Sequence, residues 1–314
     1  MTNTNRMYRF VLLVFLVAGF VTTCFGQSAQ ITGRVTDASD AVIPEVDVTV
    51  TNVDTGIRRE TVTNEAGYYT VPLLPRGNYR VNVRMAGFRP VIRTGITLDV
   101  DQVARIDFVL EIGEVEQTIE VSGAAALLDT ETTTVGQIID NTRIVELPLN
   151  GRNYLQLAQL TTGIAPTRGS RTADKGSFSA MGARAYQMNV VLDGVDNNSR
   201  AEGGQLGYEA QAVTPSVDAV QEFKVVTNNN SAEYGYRMGG TVVVQTKSGT
   251  NAFHGSAYEF LRNDKTAANN FFANRAGAEK QVYKRNQFGG TFGGRIIKDK
   301  TFFFGSYEGT RERI

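Results

Sequence analysis

The sequence predicts a mainly β chain in three successive parts: an N-terminal β-sandwich, an α+β unit, and the first strands of an incomplete transmembrane β-barrel. Three observations carry that prediction. Short β-branched and aromatic runs, separated by turn residues, fill positions 30–112. The run Thr241–Thr246 holds Val242, Val243 and Val244 in succession, as a buried strand does. After the loop Lys247–Asn251 the pattern changes to alternation. Phe253, Gly255, Ala257, Glu259 and Leu261 share one face; Ala252, His254, Ser256, Tyr258 and Phe260 share the other. A core strand followed at once by a two-faced strand is the expected junction between a soluble unit and a membrane barrel.

Composition narrows the function classes. The chain has 314 residues, with 32 basic residues balancing 32 acidic ones and no long basic run. Nucleic acid is therefore not an expected partner. The 32 glycines and the absence of tryptophan suit strands joined by tight turns. Residues 1–26 read as a signal peptide: Arg6 and Arg9, then the apolar stretch Phe10–Val21, then Gly26 before a cleavage point. That stretch is too short to span a bilayer as a helix. The single cysteine, Cys24, precedes the cleavage point, and Thr23 before it fits a lipoprotein site poorly. A mature chain without a thiol forms no disulfide and no cysteine metal site. No later stretch suits a membrane helix, so a membrane role falls to strands.

The first unit is expected over 28–112. Its strands are separated by Asp54-Thr55-Gly56, Asn64-Glu65-Ala66-Gly67 and Pro75-Arg76-Gly77. Tyr79, Val81, Val83 and Met85 mark a buried face, with Arg80, Asn82 and Arg84 outside. Residues 95–100 and 104–112 read as its closing strands. The second unit, 113–250, opens with a strand-like segment at 114–123. It continues through Asn150-Gly151-Arg152-Asn153 into a helical stripe at 154–160. Strands at 187–197 and 241–246 flank a segment at 216–227. The third part, 251–314, contains a run from Gln287 with Phe288, Gly290, Phe292, Gly294 and Ile296 on one side, then a turn at 297–301 and Phe302-Phe303-Phe304. These segments reach the 9–11 residues or so that a membrane strand needs.

Several strings then point to known families. Gly67-Tyr68-Tyr69, Leu74-Pro75-Arg76-Gly77-Asn78-Tyr79 and Gly87-Phe88 resemble the carboxypeptidase regulatory-like domain, a Cna-B-like or carbohydrate-binding-like sandwich. LPLNGRNYLQL (147–157), VVLDGVDNN (190–198), PSVDAVQEFKVVTNNNSAEYG (215–235) and GGTVVVQTKSGTNAFHGSAYEF (239–260) resemble the plug and early barrel of TonB-dependent outer-membrane receptors. Together with the sandwich, and with the string at 284–313, they resemble the Oar-like subgroup. The resemblance implies a cell outer-membrane location with the N-terminal units in the periplasm. It also implies plug-gated, energised uptake, a TonB–ExbB–ExbD partner complex, contact with membrane lipid, and an exogenous substrate such as an oligosaccharide, peptide or siderophore. Barrels that hold a plug close with about 22 strands, and only about three fit here, so a C-terminally truncated chain is expected.

Within that resemblance, Glu116, Thr118, Ile119 and Val121 match a TonB box, a peptide recognised by strand addition. The same segment also reads as the last strand of the sandwich or the first of the plug. Asp193, Asp196, Asn197 and Asn198 lie on plug loops that are candidates to face the ligand. Their oxygens would also suit calcium, although Asp-Gly and Asn-Asn more often make turns.

No enzyme is expected, and no cofactor. The lone His254 has no nucleophile motif near it, and zinc needs more His or Cys ligands than the mature chain has. Lys247-Ser248-Gly249 lacks the Ser-x-x-Lys that penicillin-binding chemistry needs. The phosphate-loop-like run 294–301 has Asp299 in place of the second glycine. The alternative to a receptor is a secreted or surface adhesion protein with a carbohydrate-binding sandwich, which would leave the cell without detergent.

Overall fold

A computed structural model describes residues 29–113, 119–122, 131–166, 178–184, 187–198, 211–235 and 237–313. The signal segment expected at 1–26 lies outside them. The described chain is mainly β, in three packed parts.

The sandwich uses β1 (Ala29–Asp37), β2 (Asp47–Asn52), β3 (Arg58–Val62), β4 (Tyr68–Leu74), β5 (Gly77–Arg84), β6 (Val91–Leu98), β7 (Val103–Arg105), β8 (Phe108–Leu110) and β9 (Ile119–Ser122). One sheet runs β4-β1-β7, with β8 also on β1; the other runs β3-β2-β5-β6-β9. Alternation in β5 buries Tyr79, Val81 and Val83 against Ile31, Val35, Val48, Val50 and Leu98. The two motif tyrosines are core residues with satisfied hydroxyls. Tyr69 Oη donates to Ile106 O at 2.7 Å, and Tyr79 Oη to Pro75 O at 2.5 Å. Gly33 allows β1 to approach the β7–β8 link, because a Cβ there would lie 1.9 Å from Ile106 O.

The strand expected at 95–100 begins earlier and ends sooner. Thr94 and Gly95 lie opposite the single residue Arg80, and Gly95 has φ of +72°. Gly95 therefore forms a bulge inside β6 rather than a strand start. Val100, expected within a strand, stands in a turn, with Asp101 beside it at φ of +55°.

The plug unit is built on a sheet of order β10-β15-β16-β13-β14. Its elements are β10 (Val135–Asp140), α1 (Asn141–Glu146), the short hairpin β11 (Ile164–Pro166) with β12 (Phe178–Ala180), β13 (Asn189–Leu192), β14 (Val195–Asp196), β15 (Val220–Asn228) and β16 (Thr241–Thr246). Asp140 caps α1 by accepting from Arg143 N at 2.9 Å. The expected helix at Tyr154–Leu160 is a 3-10 helix, capped by Asn153. It buries Tyr154, Leu155, Leu157 and Ala158 on one face of the sheet, with Phe223, Val225, Val242 and Val244. Tyr154 meets Phe223 edge-on, ring centres 5.4 Å apart. The expected strand at 187–197 is a tight hairpin, turning at Asp193 (φ of +47°) and Gly194 (φ of +83°).

The third part is a sheet of order β17-β18-β19, formed by β17 (His254–Asn263), β18 (Lys284–Ile297) and β19 (Thr301–Arg313). The short helix α2 (Phe271–Arg275) lies in the β17–β18 loop. Facing residues separate cleanly. Ser256, Tyr258 and Phe260 register with Thr291, Gly289 and Gln287 on the side that meets the plug. On the outer side each aromatic of β18 and β19 faces a glycine: Phe288 with Gly309, Tyr307 with Gly290, Phe292 with Gly305, and Phe303 with Gly294. Of the run Phe302-Phe303-Phe304, Phe303 joins this face, its ring centre 5.5 Å from that of Phe292, while Phe302 and Phe304 register with Arg295 and Gly293 on the other face. No helix among the described residues is long and apolar enough to cross a membrane, so strands would have to do so.

Candidate functional site

The plug meets the barrel strands around one largely enclosed cation, the Arg152 side chain. Gly151 (φ of +70°) and Arg152 (φ of +53°) form a left-handed turn just before the 3-10 helix. A non-glycine residue adopts this conformation only when its surroundings hold it there. Arg152 is held by an ion pair with Asp218 and by Glu308, whose Oε2 lies 3.8 Å from Nε. Its guanidinium also stacks over Tyr258 and Phe260, at 4.5 and 4.1 Å from the ring centres. Glu308 is fixed in turn by Tyr258 Oη at 2.8 Å and Gln287 Nε2 at 2.7 Å. Asp218 also lies against the barrel, accepting from Ser256 Oγ at 3.4 Å. Arg285 Nη2 donates to Gly151 O at 3.5 Å. The contact is built from charge pairs, hydrogen bonds and two ring faces.

The sandwich meets the plug through a second polar joint. Glu222, on β15, is fully buried. It accepts from Arg76 Nε at 2.5 Å and from the Val100 backbone N–H at 2.6 Å. Burial pushes its carboxyl up to about 7, against the lowering pull of Arg76. Burial raises the neighbouring Asp99 as well. Two residues along the same face of β15, Lys224 Nζ donates to Asp101 O at 3.0 Å and pairs with Asp101 Oδ2 at 3.3 Å. Between these polar contacts, Val100 packs with Val191, Val243 and Tyr234. The turn at 99–101 thus inserts into the face of the plug sheet opposite the plug's own core. The β-branched run Val242–Val244 is buried on both faces for this reason.

A third contact ties the sandwich to the barrel end. Asn251 N donates to Asp54 O at 3.0 Å, and Asn251 Nδ2 donates to Asp299 Oδ1 at 2.8 Å. A cleft of about 620 Å³ lies where the three parts meet, lined among others by Arg76, Tyr79, Gln245, His254 and Phe302.

The residues singled out in the sequence fall as follows. Glu116 and Thr118 lie outside the described residues. Ile119 and Val121 lie in β9, whose backbone pairs in parallel with β6, Ile119 opposite Val91 and Val121 opposite Arg93. This segment is thus the outermost strand of the sandwich sheet.

Of the loop residues expected to face a ligand, Asn197 and Asn198 are buried, Asp193 is half-buried and Asp196 is exposed. Asp193 Oδ1 and Oδ2 accept from Thr246 N and Oγ1 at 2.9 and 2.8 Å, at the end of the plug sheet nearest the sandwich. Asp196 Oδ1 accepts from Asn198 N at 2.9 Å. Asn197 brackets Val213 through both its amide atoms at 2.8 Å. Asn198 accepts from Val190 N at 3.0 Å and donates to Asn189 Oδ1 at 2.7 Å. Asn197 and Asn198 are buried, so these polar groups build the loop. The rest of that loop, 199–210, and the loop 167–177 lie outside the described residues. No group of three His, Cys, Asp or Glu side chains suited to a metal occurs among the described residues. His254 is exposed, with Nδ1 3.2 Å from Ala252 O.

Sequence reasoning missed Arg152, Asp218, Glu308, Glu222 and Val100. A visible signal was the presence of charges within apolar or membrane-strand runs, as with Glu308 between Tyr307 and Gly309.

Comparison with known proteins gives the following. Residues 30–111 match the carboxypeptidase regulatory-like domain, and residues 245–314 match the outer membrane beta barrel domain. The chain is 28% identical over 321 aligned residues to the TonB-dependent transporter Oar of Myxococcus xanthus, an alignment covering 97% of this chain and 29% of that protein. The chain thus spans less than a third of the length of the curated relative it matches. Among solved structures, the siderophore receptor PirA of Acinetobacter baumannii aligns at 21% identity and a TM-score of 0.39, over 55% of this chain and 24% of the receptor. A mutant of the ferric enterobactin receptor PfeA of Pseudomonas aeruginosa aligns at 19% identity and a TM-score of 0.38, over 52% of this chain and 22% of that one. The chain is an outer-membrane homologue of the TonB-dependent transporter Oar, carrying a carboxypeptidase regulatory-like domain and strands of an outer membrane β-barrel domain.

Proposed function

We propose that this chain supplies the gate of an energised outer-membrane transporter. The plug closes a barrel, an exogenous substrate arrives from outside, and the TonB–ExbB–ExbD complex pulls on the plug from the periplasm through the segment containing Glu116, Thr118, Ile119 and Val121. Oligosaccharide, peptide and siderophore all remain eligible cargo.

The observation that carries this reading is the Arg152 joint. It fixes a plug turn to the inner side of β17 and β19 through charge pairs and ring faces, not through a continuous apolar core. A joint made of a few directional contacts can release as a unit and reform, which suits a gate. Strand addition explains the box, because backbone hydrogen bonds supply affinity and alternate side chains supply choice.

The test uses the purified periplasmic domain of TonB as probe. Wild-type chain should retain it on a column, and Ile119→Pro should not, since proline removes a backbone donor from the strand. Circular dichroism of the variant should match wild type. Retention of the probe by a folded Ile119→Pro variant would overturn the assignment of the box.

A further inference from the structure

The sandwich has two features that gating by the plug does not use. It carries the box strand as an edge of its own sheet, and it is seated on the plug by the turn at 99–101. Taken together they give the sandwich a role.

β9 is the last strand in the order β3-β2-β5-β6-β9. One edge of it is paired with β6 from Val91 to Thr94. Among the described residues no strand pairs with its other edge. An edge strand already held extended is a template for another strand, because its outward N–H and C=O groups lack backbone partners. It also spares an incoming partner the entropy of ordering a loose peptide. The seat lies elsewhere on the same domain. Arg76 and the Val100 N–H hold Glu222, Asp101 holds Lys224, and Val100 fills the apolar gap against Val191, Val243 and Tyr234. Glu222 and Lys224 both stand on β15, the second strand of the plug sheet.

We infer that the sandwich is the platform that presents the box: β9 stays paired with β6 while a strand of the TonB periplasmic domain adds to its free edge, and the load then passes to β15 of the plug through the 99–101 seat. This rests on the box assignment proposed above. It differs from a box that must leave the sandwich before it is engaged.

A cysteine pair separates the two. Thr94 and Ser122 are register partners across β6 and β9, and neither belongs to the box residues. Neighbouring strands lie about 4.8 Å apart, within the Cα separation of about 4.4–6.8 Å that a disulfide spans. The only native cysteine, Cys24, is replaced by serine in the same chain. The full chain carrying Thr94→Cys and Ser122→Cys is compared oxidised and reduced for binding of the TonB periplasmic domain. The platform predicts that the oxidised form binds within about threefold of the reduced form, a difference well under 1 kcal/mol. A loss of about tenfold or more on oxidation, reversed by dithiothreitol, overturns the platform and leaves the box intact. Binding by neither form, in a background where wild type also fails, removes both the platform and the box. If the reduced pair alone fails, Ile92→Cys with Glu120→Cys, the adjacent register pair, takes its place. A doubled molecular mass in light scattering without the probe would assign the edge to a second copy of the chain and overturn the platform.

Discussion

The plug is held at two joints, and they are built differently. At the barrel joint, one cation is shared between two carboxylates and two aromatic rings. At the sandwich joint, an apolar residue, Val100, enters the plug sheet, and charges flank it. The first is held by direction and charge, and its energy disappears if the cation is removed. The second combines apolar burial with hydrogen bonds spread over Glu222 and Lys224. The difference suggests which joint opens under load: the barrel joint is suited to release, and the sandwich joint to staying closed.

The largest expected effect breaks the barrel joint. Arg152→Ala leaves Asp218 and Glu308 facing each other's surroundings without a cation, and should cost about 3–5 kcal/mol. Denaturant unfolding of the detergent-solubilised chain measures it. An effect below about 1 kcal/mol would mean the joint is solvated and not a lock.

Next comes a pH effect confined to the sandwich joint. Glu222 titrates at about 7 in the folded chain against an ordinary 4.5. The folded state therefore holds the proton where the unfolded state has lost it. The stability this contributes is complete below pH 4.5 and is lost as the pH rises to about 7. The loss should reach about 3 kcal/mol at most. Glu222→Gln keeps an acceptor for the Val100 N–H and should flatten that slope in melting curves taken between pH 4 and 8. An unchanged slope would assign it to another group, with the neighbouring Asp99 the first to examine.

Val100→Ala should follow at about 2 kcal/mol, the cost of two buried methyl groups. Limited proteolysis between the sandwich and the plug is the sensitive readout, since the separated units would expose their link. The smallest effect is expected from Asp101→Asn, at about 1 kcal/mol or less. Lys224 Nζ keeps its bond to the Asp101 backbone carbonyl in that variant. A larger loss would show that the carboxylate, not the carbonyl, holds the lysine.

What could be read in the sequence was local. The alternation of Tyr79, Val81 and Val83, and that of Phe288 through Ile296, depend only on neighbours in one strand, and both faces came out as the pattern implies. The joints could not be read that way. Arg152 and Asp218 are 66 positions apart, and Glu222 finds Arg76 across 146. Nothing local distinguishes Glu222 from an exposed strand carboxylate, because its neighbours Phe223 and Val225 point the other way. Val100 was absorbed into a strand since Gly95 looked like a beginning. Asn197 and Asn198 looked like loop surface because their partners, Val213 and Val190, are set by the hairpin at Asp193. The family resemblance supplied the order of the parts, and the contacts between them had to come from the fold.

The insertion of Val100 between Val191 and Val243 also bears on what counts as a unit of this molecule. Divided where the sequence patterns change, near position 112, the plug sheet would lose the cover of its second face. It would then present a bare valine patch beside Glu222, which would have lost its Arg76 and Val100 partners. A plug produced without residues 29–112 should therefore aggregate or fold only in part, even with every residue of its own core in place. The sandwich has a core of its own, whereas the plug sheet is finished only when Val100 covers its second face.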